Sequence, residues 1–164
     1  MKTQGTSHES SRWITAPTES TETGKLVMVT ARTDISQFRN NPRFIYRVEI
    51  TLPYQSDASG MPPEEMAETL GDITDAIEEA FSKDPVAVIT GIYTGDGRRD
   101  WICYTLSLHI FQKKINQALS SLPLLPLEFH AEEDPEWQEY DNMRAIVTIP
   151  DDDDNDDATE DSDI

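Results

Sequence analysis

The sequence predicts an α+β fold, in which antiparallel strands and amphipathic helices share one core. Several short segments carry an apolar residue at every second position, which is typical of strands with one buried face. Two longer segments repeat their apolar residues every three or four positions, which is typical of helices with one buried face. A chain of 164 residues favours one domain with an ordinary core.

Two apolar segments near the N-terminus predict a β-hairpin. Residues 13–15 form its first strand and residues 26–31 its second, and the polar stretch 17–24 joins them. Asp34 then caps a short helical turn that ends at Arg39.

The middle of the chain predicts a strand, a helix and a second hairpin. Apolar and polar residues alternate over 44–52, which predicts a half-buried strand. Residues 62–82 predict an amphipathic helix that starts at two prolines, because proline is tolerated in the first turn. Its apolar stripe is Met66, Leu70, Ile73, Ile77 and Phe81. Residues 86–93 and 101–106 predict two strands, joined by a medium loop over 94–100.

A second helix and a last strand follow. Ser107 caps the helix, and residues 124–131 predict the strand. The apolar stripe of the helix is Leu108, Phe111, Ile115, Leu119 and Leu122. Asp134 and Pro135 start a short helical segment that holds Trp137 and Tyr140, spaced to pack against the sheet.

Residues 43–131 therefore follow the order strand, helix, strand, strand, helix, strand. This is the split βαβ, ferredoxin-like order, with two helices on one face of an antiparallel sheet. The N-terminal hairpin is added to it. We expect three regions: a disordered leader over 1–11, one α+β domain over 12–149 and a disordered acidic tail over 150–164.

Acidic residues dominate the charge. The chain has 13 Lys and Arg against 32 Asp and Glu, for a net charge of −19. Residues 151–164 hold nine of these acids and no base, which leaves 13 bases, 23 acids and a net charge of −10 in the first 150 residues. Such a balance argues against direct binding to nucleic acid, which needs clustered Lys and Arg. It fits solubility, basic protein partners or mimicry of nucleic acid.

The location follows from what the sequence lacks. Residues 1–12 are polar and have no apolar stretch like that of a signal peptide. No apolar run approaches the roughly 18 residues of a membrane span. Cys103 is the single cysteine, so no internal disulfide is expected. These features favour a cytoplasmic protein without a membrane partner.

Residues that could bind a metal or a cofactor, or act in catalysis, are few and far apart in the sequence. His8, His109 and His130 lack metal-ligand spacing, and Cys103 falls mid-strand, where a buried small hydrophobe is expected. Gly95-Asp96-Gly97 begins like a dinucleotide fingerprint, but Asp100 stands where its third glycine belongs, and a strand follows. We expect no catalytic residue, metal or cofactor.

A pair of arginines stands out in this acidic chain. Arg98 and Arg99 fall at the predicted hairpin tip, and their forks could clamp an anionic group. Arg43 and Arg47 would lie nearby, with Trp101 as a wall. The alternative, which we favour, is that these arginines neutralise acids such as Asp96, Asp100 and Glu49, because structural ion pairs have the same pattern.

Three blocks of the sequence resemble the bacterial family known as domain of unknown function 695. They are residues 34–44, residues 84–106 with their Gly-Asp-Gly turn, and residues 124–140 with Trp137 and Tyr140. The resemblance covers about residues 12–145 and implies no reaction and no catalytic residues. Some members of the family are joined to a domain similar to regulator of ribonuclease activity B, an acidic inhibitor of an endonuclease. That domain is absent here, so a role in ribonuclease control is only an analogy.

Two functions remain open at this point. The first is a non-enzymatic interaction or regulatory module, whose acidic tail attracts a basic protein partner. The second is an anionic-ligand-binding protein or an enzyme that uses Arg98 and Arg99. A tail that only keeps the protein soluble, and a homo-oligomer, are also compatible with the sequence.

Overall fold

The computed structural model describes residues 12–147, which form a mixed α+β structure with six strands and four helices. The strands are β1 (Trp13–Glu19), β2 (Leu26–Arg32), β3 (Tyr46–Pro53), β4 (Ala87–Gly95), β5 (Arg98–Thr105) and β6 (Glu128–Glu133). The helices are α1 (Ser36–Arg39), α2 (Glu64–Ser82), α3 (Leu108–Leu119) and α4 (Gln138–Val147). The predicted leader and the predicted acidic tail lie outside the described residues.

All six strands belong to one antiparallel sheet with the order β1-β2-β4-β5-β3-β6. The predicted N-terminal hairpin is confirmed, with Trp13 opposite Arg32 and Glu19 opposite Leu26. Strand β1 runs further than expected, through Pro17. Proline is tolerated there because β1 is an edge strand, where a missing N–H need not break the ladder.

The predictions for the connection between β4 and β5 and for the cap of α1 are wrong. The medium loop between β4 and β5 is a two-residue turn, in which Asp96 and Gly97 have φ values of 56° and 83°, as the tightest hairpin turns require. Arg98 and Arg99 therefore lie in β5 and not in a loop. Asp34 does not cap α1, because its carboxylate accepts a hydrogen bond from Arg32 Nε at 3.0 Å instead.

Three loops meet at the turn between β4 and β5, in a contact that we call the loop clasp. Ser20 and Thr23 donate hydrogen bonds from the β1–β2 turn to the Asp96 carboxylate, at 3.0 and 3.1 Å. From the loop before α2, the Gly60 carbonyl accepts the Gly97 N–H at 2.9 Å. The loop clasp thus fixes one end of the sheet through residues that are far apart in sequence.

Helices α2 and α3 cover one face of the sheet, as their apolar stripes predicted. Leu70, Ile73, Ile77 and Phe81 of α2 are buried, together with Phe111 and Ile115 of α3. Beneath them lie Val48, Ile50 and Leu52 of β3, which confirms the period-two alternation. Ser107 accepts the Ile110 N–H at 3.2 Å, which confirms the predicted cap of α3.

Helix α4 packs on the opposite face of the sheet, over β1, β2 and β4. The Trp137 ring, just before α4, stacks on Tyr104 of β5 with 4.1 Å between centroids. Met143 of α4 packs over Gly91 of β4, where an added Cβ would lie 2.1 Å from Met143 Cε. Both faces of the sheet are therefore covered, but α4 leaves the β3 and β6 part of its own face open.

Candidate binding surface

Arg98 and Arg99 do not form a joint anion clamp. They are consecutive residues of a strand, so their side chains point to opposite faces of the sheet. Arg98 is 62% exposed and pairs with Asp100 at 3.3 Å on the α4 face. Arg99 lies on the other face, where its Nε donates to Thr94 at 2.8 Å.

The other three predicted binding residues are also dispersed. Trp101 is fully buried, and its indole N–H donates to Thr74 of α2 at 2.8 Å. Arg43 is exposed and precedes β3. Arg47 of β3 is opposite Tyr104 of β5, whereas Arg98 of β5 is opposite Pro53 of β3. Six residues of extended strand therefore separate Arg47 from Arg98, which is roughly 20 Å. Of the five residues, the structure brings only Arg99 and Trp101 together, with the guanidinium 5.8 Å from the ring centroid.

Arg47 belongs instead to a buried network around Asp134. Its guanidinium donates to Asp134 at 2.9 Å and to Glu49 at 2.9 Å, and it also pairs with Glu132. The Tyr104 hydroxyl donates to the same Asp134 oxygen at 2.6 Å. Arg47 thus forms ion pairs with three carboxylates, and this part of the sheet has more negative than positive charge.

Asp134 also holds the start of α4. Its carboxylate accepts the backbone N–H groups of Gln138 and Glu139 at 2.8 and 3.1 Å. Burial acts to raise the pKa of Asp134, but the hydrogen bonds from Tyr104, from these two amides and from Arg47 outweigh it and lower the pKa. Asp134 therefore stays ionised and joins α4 to β3 and β5. The sequence indicated a helix start at Asp134 but not its partners on the sheet.

An open groove lies on the α4 face beside this network, and we call it the acidic groove. It encloses about 340 Å³ between residues 18–22, at the end of β1 and in the turn after it, the sheet and the first turn of α4. Its charged lining residues are Glu19, Glu22, Glu49, Asp96, Asp100, Glu139 and Arg98. Six carboxylates therefore face one guanidinium across a concave surface.

Tyr93 forms part of the floor of the acidic groove. Its hydroxyl donates a hydrogen bond to the Glu139 carboxylate. Burial, followed by this hydrogen bond, raises the pKa of Tyr93, so the phenol stays protonated and acts as a donor. Asp100 is held in a similar way by the Thr51 hydroxyl at 2.6 Å. Glu139 and Asp100 are thus each held by a neutral hydroxyl donor, which brings no positive charge to the groove.

No sequence pattern predicted the acidic groove, because its residues come from five separate segments. Glu49 and Asp100 were considered only as acids that neutralise arginines. Their positions across β3 and β5, combined with the placement of α4, bring Glu139 to the same surface. The strand alternation showed that Glu49 and Thr51 share a face, and this was the one available indication.

In the part of the chain that the structure describes, the cysteine and the two histidines lie apart from one another. Cys103 is buried as expected, and burial raises the pKa of its thiol. His130 is 65% exposed on β6, and His109 is exposed on α3. Within residues 12–147, no group of three or more His, Cys, Asp or Glu is placed to hold a metal ion. Nor is any helix in this range long and apolar enough to cross a membrane.

The comparisons with known proteins give one match. Residues 19–143 match the model described as family of unknown function (DUF695). No curated protein matches the chain, and no solved structure does. The match includes every strand except β1 and all of the charged residues of the acidic groove, so the charged surface described above lies within the matched region.

Proposed function

The chain belongs to the family of unknown function 695, and from its surface we propose that it is a non-enzymatic protein-interaction module of the bacterial cytoplasm that binds basic partners. The acidic groove is the observation that carries this proposal. Four of its six carboxylates stand on regular elements, with Glu19, Glu49 and Asp100 on strands and Glu139 on a helix. Preorganised charge of this kind supports selection of a partner with Lys or Arg side chains.

The excess of carboxylates in the acidic groove supports a cationic partner. Asp100 has Arg98 beside it, but Arg98 is largely exposed and Glu49 shares Arg47 with two other carboxylates. The hydrogen bonds from Tyr93 and Thr51 bring no positive charge. Lysine or arginine from a partner would complete these pairs at an exposed, salt-sensitive surface.

Affinity co-purification from the native cell tests this proposal. The full chain is compared with a triple variant of the groove, Glu49→Gln, Asp100→Asn and Glu139→Gln. The matched control is Glu64→Gln, Glu65→Gln and Glu68→Gln, which removes three charges from the exposed side of α2. We expect a partner with a basic surface to be retained by the control and lost from the groove variant. A partner retained equally by both variants contradicts the role of the groove.

A second candidate function, the binding of an anionic ligand, is favoured by the surroundings of Arg99 alone. Within residues 12–147, no carboxylate lies within 4.0 Å of its guanidinium, and burial lowers its pKa. Half-buried arginines normally have an acid partner, because an uncompensated charge is costly to bury. A phosphate or carboxylate group of a ligand could supply that partner.

Thermal unfolding in the presence of inorganic phosphate distinguishes this second candidate. Arg99→Gln is expected to abolish any phosphate-induced rise in Tm, whereas Arg98→Gln, on the opposite face, should retain it. An equal response from both variants, or no response in the wild type, counts against a phosphate site at Arg99.

We also propose that the region after the N-terminal hairpin has the ferredoxin-like arrangement. The predicted order along the chain is present, as β3, α2, β4, β5, α3 and β6. In the sheet, the four strands lie in the order β6-β3-β5-β4, so that β3 and β5, the first and third of them along the chain, are central. An experimental structure with another strand order would contradict this assignment.

A further inference from the structure

The last strand of the sheet has an open side. Strand β6 pairs only with β3, and no strand of residues 12–147 lies beyond it. Just after β6, the Asp134 N–H donates to the Ile45 carbonyl at 2.7 Å. In an antiparallel pair, every second residue directs its N–H and C=O groups to the partner strand, so residues 128, 130 and 132 direct theirs toward β3. Those of Phe129, Ala131 and Glu133 are directed outward, where another strand could pair with them.

An apolar groove lies next to this open edge, and we call it the leucine groove. It encloses about 470 Å³ between the end of α3 and β6. Its apolar lining residues are Leu119, Leu122, Leu124, Leu125, Leu127 and Phe129. Leu124 is 100% exposed and Phe129 is 51% exposed, the two highest values among the large apolar residues of the described chain. Exposed apolar residues that cluster in this way typically mark an interaction site.

The two faces of β6 differ in chemistry. Phe129 and Ala131 are opposite Ile50 and Val48 of β3, so they lie on the face covered by α2 and α3. Glu128, His130 and Glu132 point to the other face, which also holds the acidic groove. A strand added to β6 would therefore have apolar side chains over the leucine groove and its alternate side chains beside glutamates.

We propose that the outer edge of β6 binds an extended segment of a partner protein in which apolar residues alternate with Lys or Arg. This inference rests on the proposed function, because it specifies how a basic partner is bound. Main-chain hydrogen bonds to Phe129, Ala131 and Glu133 would provide affinity, and the two faces would provide specificity. The partner strand extends the sheet by one strand at this edge.

Charge identifies a basic partner as the occupant. A second copy of the chain would bring another net charge of −19 and its own Glu128, Glu132 and Glu133 to the edge. Residues 1–11 contain one lysine and no alternating apolar residues, and residues 151–164 contain no base. Neither sequence has the required pattern. The opposite edge of the sheet is less suitable, because β1 contains Pro17.

The test selects binding peptides from a random twelve-residue display library on the immobilised full chain. The variant Ala131→Pro removes one outward N–H and leaves the hydrogen bonds between β6 and β3 in place. The double variant Leu124→Ser and Phe129→Ser removes the exposed part of the leucine groove. The matched control is Ile14→Ser, which changes a residue that is 38% exposed on the other edge strand. Circular dichroism checks that each variant is folded.

We expect the selected peptides to alternate apolar and basic residues, and to bind Ala131→Pro and the double serine variant about tenfold or more weakly than the wild type. Binding to Ile14→Ser should be unchanged.

A second measurement needs no protein variant. The best peptide is synthesised with N-methyl groups on its odd or on its even amides, and fluorescence anisotropy should show loss of binding to the wild type for one set only.

Each other outcome overturns the inference. Basic peptides without alternation, or peptides insensitive both to N-methylation and to the β6 variants, would leave a basic partner in place but exclude strand addition at β6. If no basic peptide is selected at all, the proposed function and this inference fail together.

Discussion

Asp134 shows how one side chain can connect several elements. Its carboxylate is buried, accepts hydrogen bonds from Tyr104, from Arg47 and from the first amides of α4, and is ionised. Substitution to alanine would leave the Arg47 charge and these donors without their central acceptor. We expect Asp134→Ala to lower the free energy of unfolding by roughly 3–5 kcal/mol.

The control for this prediction is Asp141→Ala, which removes an exposed ion pair with Arg39 at 2.6 Å. Such a surface pair contributes about 0–1 kcal/mol. Urea unfolding of both variants measures the difference. Equal losses in the two variants would contradict the role of the Asp134 network.

The pKa of Asp134 gives a second prediction, on pH. Because the pKa is lowered in the folded state, the ionised carboxylate stabilises the fold above the ordinary carboxyl pKa. This contribution is lost as the pH falls through the lower folded value. The difference in unfolding free energy between the wild type and Asp134→Ala should therefore narrow when urea unfolding is repeated at progressively more acidic pH. A constant difference would contradict the lowered pKa.

Two glycines of the loop clasp offer a matched pair of substitutions. Gly60 and Gly97 have positive φ values of 85° and 83°, so alanine would be strained at both. At Gly60, an added Cβ would also lie 2.8 Å from the Asp96 backbone N, whereas the nearest atom at Gly97 is 3.9 Å away. We expect Gly97→Ala to lower the free energy of unfolding by roughly 1–2 kcal/mol. Gly60→Ala should lower it by more, and thermal unfolding measures both losses. The reverse order would count against the close contact.

Sequence reasoning at the residue scale succeeded where the local pattern decides the outcome. The cap at Ser107 and the burial of Cys103 follow from neighbours a few residues away. The surroundings of Arg47 and Arg98 depend on strand register and on the length of one turn, which a single sequence does not determine. For that reason the predicted arginine cluster is spread over two faces.

Among the elements, α4 depends on a close approach to β4. Met143 occupies the space above Gly91, where a Cβ would meet its Cε at 2.1 Å and its Sδ at 2.5 Å. Gly91→Ala and Met143→Ala should each destabilise the protein, the first by overlap and the second by an unfilled cavity. The double variant should lose less unfolding free energy than the sum of the two single losses. The added methyl group of Gly91→Ala then no longer overlaps Met143, and it fills part of the cavity that Met143→Ala leaves. Strictly additive losses of unfolding free energy would contradict this packing.

The helices and central strands were more predictable than the edges. Regular periodicity located α2, α3 and β3 to within a few residues. The last strand was expected over 124–131 but spans Glu128–Glu133, because Leu124 and Leu125 line a groove beside the sheet. Apolar composition alone does not separate a strand from an exposed apolar loop. The position of α4 on the opposite face required the three-dimensional structure.

For the whole molecule, charge determines the expected kinetics of binding. The 14 residues over 151–164 carry nine acids, and these should raise the rate of encounter with a basic partner. We expect a chain ending at residue 150 to bind the partner more weakly, mainly through slower association. Surface plasmon resonance at low and moderate salt measures this effect. Equal association rates with and without the tail, at every salt concentration, would contradict it.

The whole surface was the least predictable property. Composition showed that the protein is acidic but not where its carboxylates converge. The acidic groove needs β3, β4, β5, α4 and the β1–β2 turn in their final positions. A surface built from distant segments leaves no local motif in the sequence.

The loop clasp has a consequence for the order of folding. Its hydrogen bond between Ser20 and Asp96 spans 76 residues, and Gly60 joins from a third segment. Closing such long loops costs chain entropy before any contact compensates for it. This end of the sheet should therefore become ordered late and open readily in native-state hydrogen exchange. The Gly97 amide, bonded to Gly60, should exchange sooner than amides at the centre of β5.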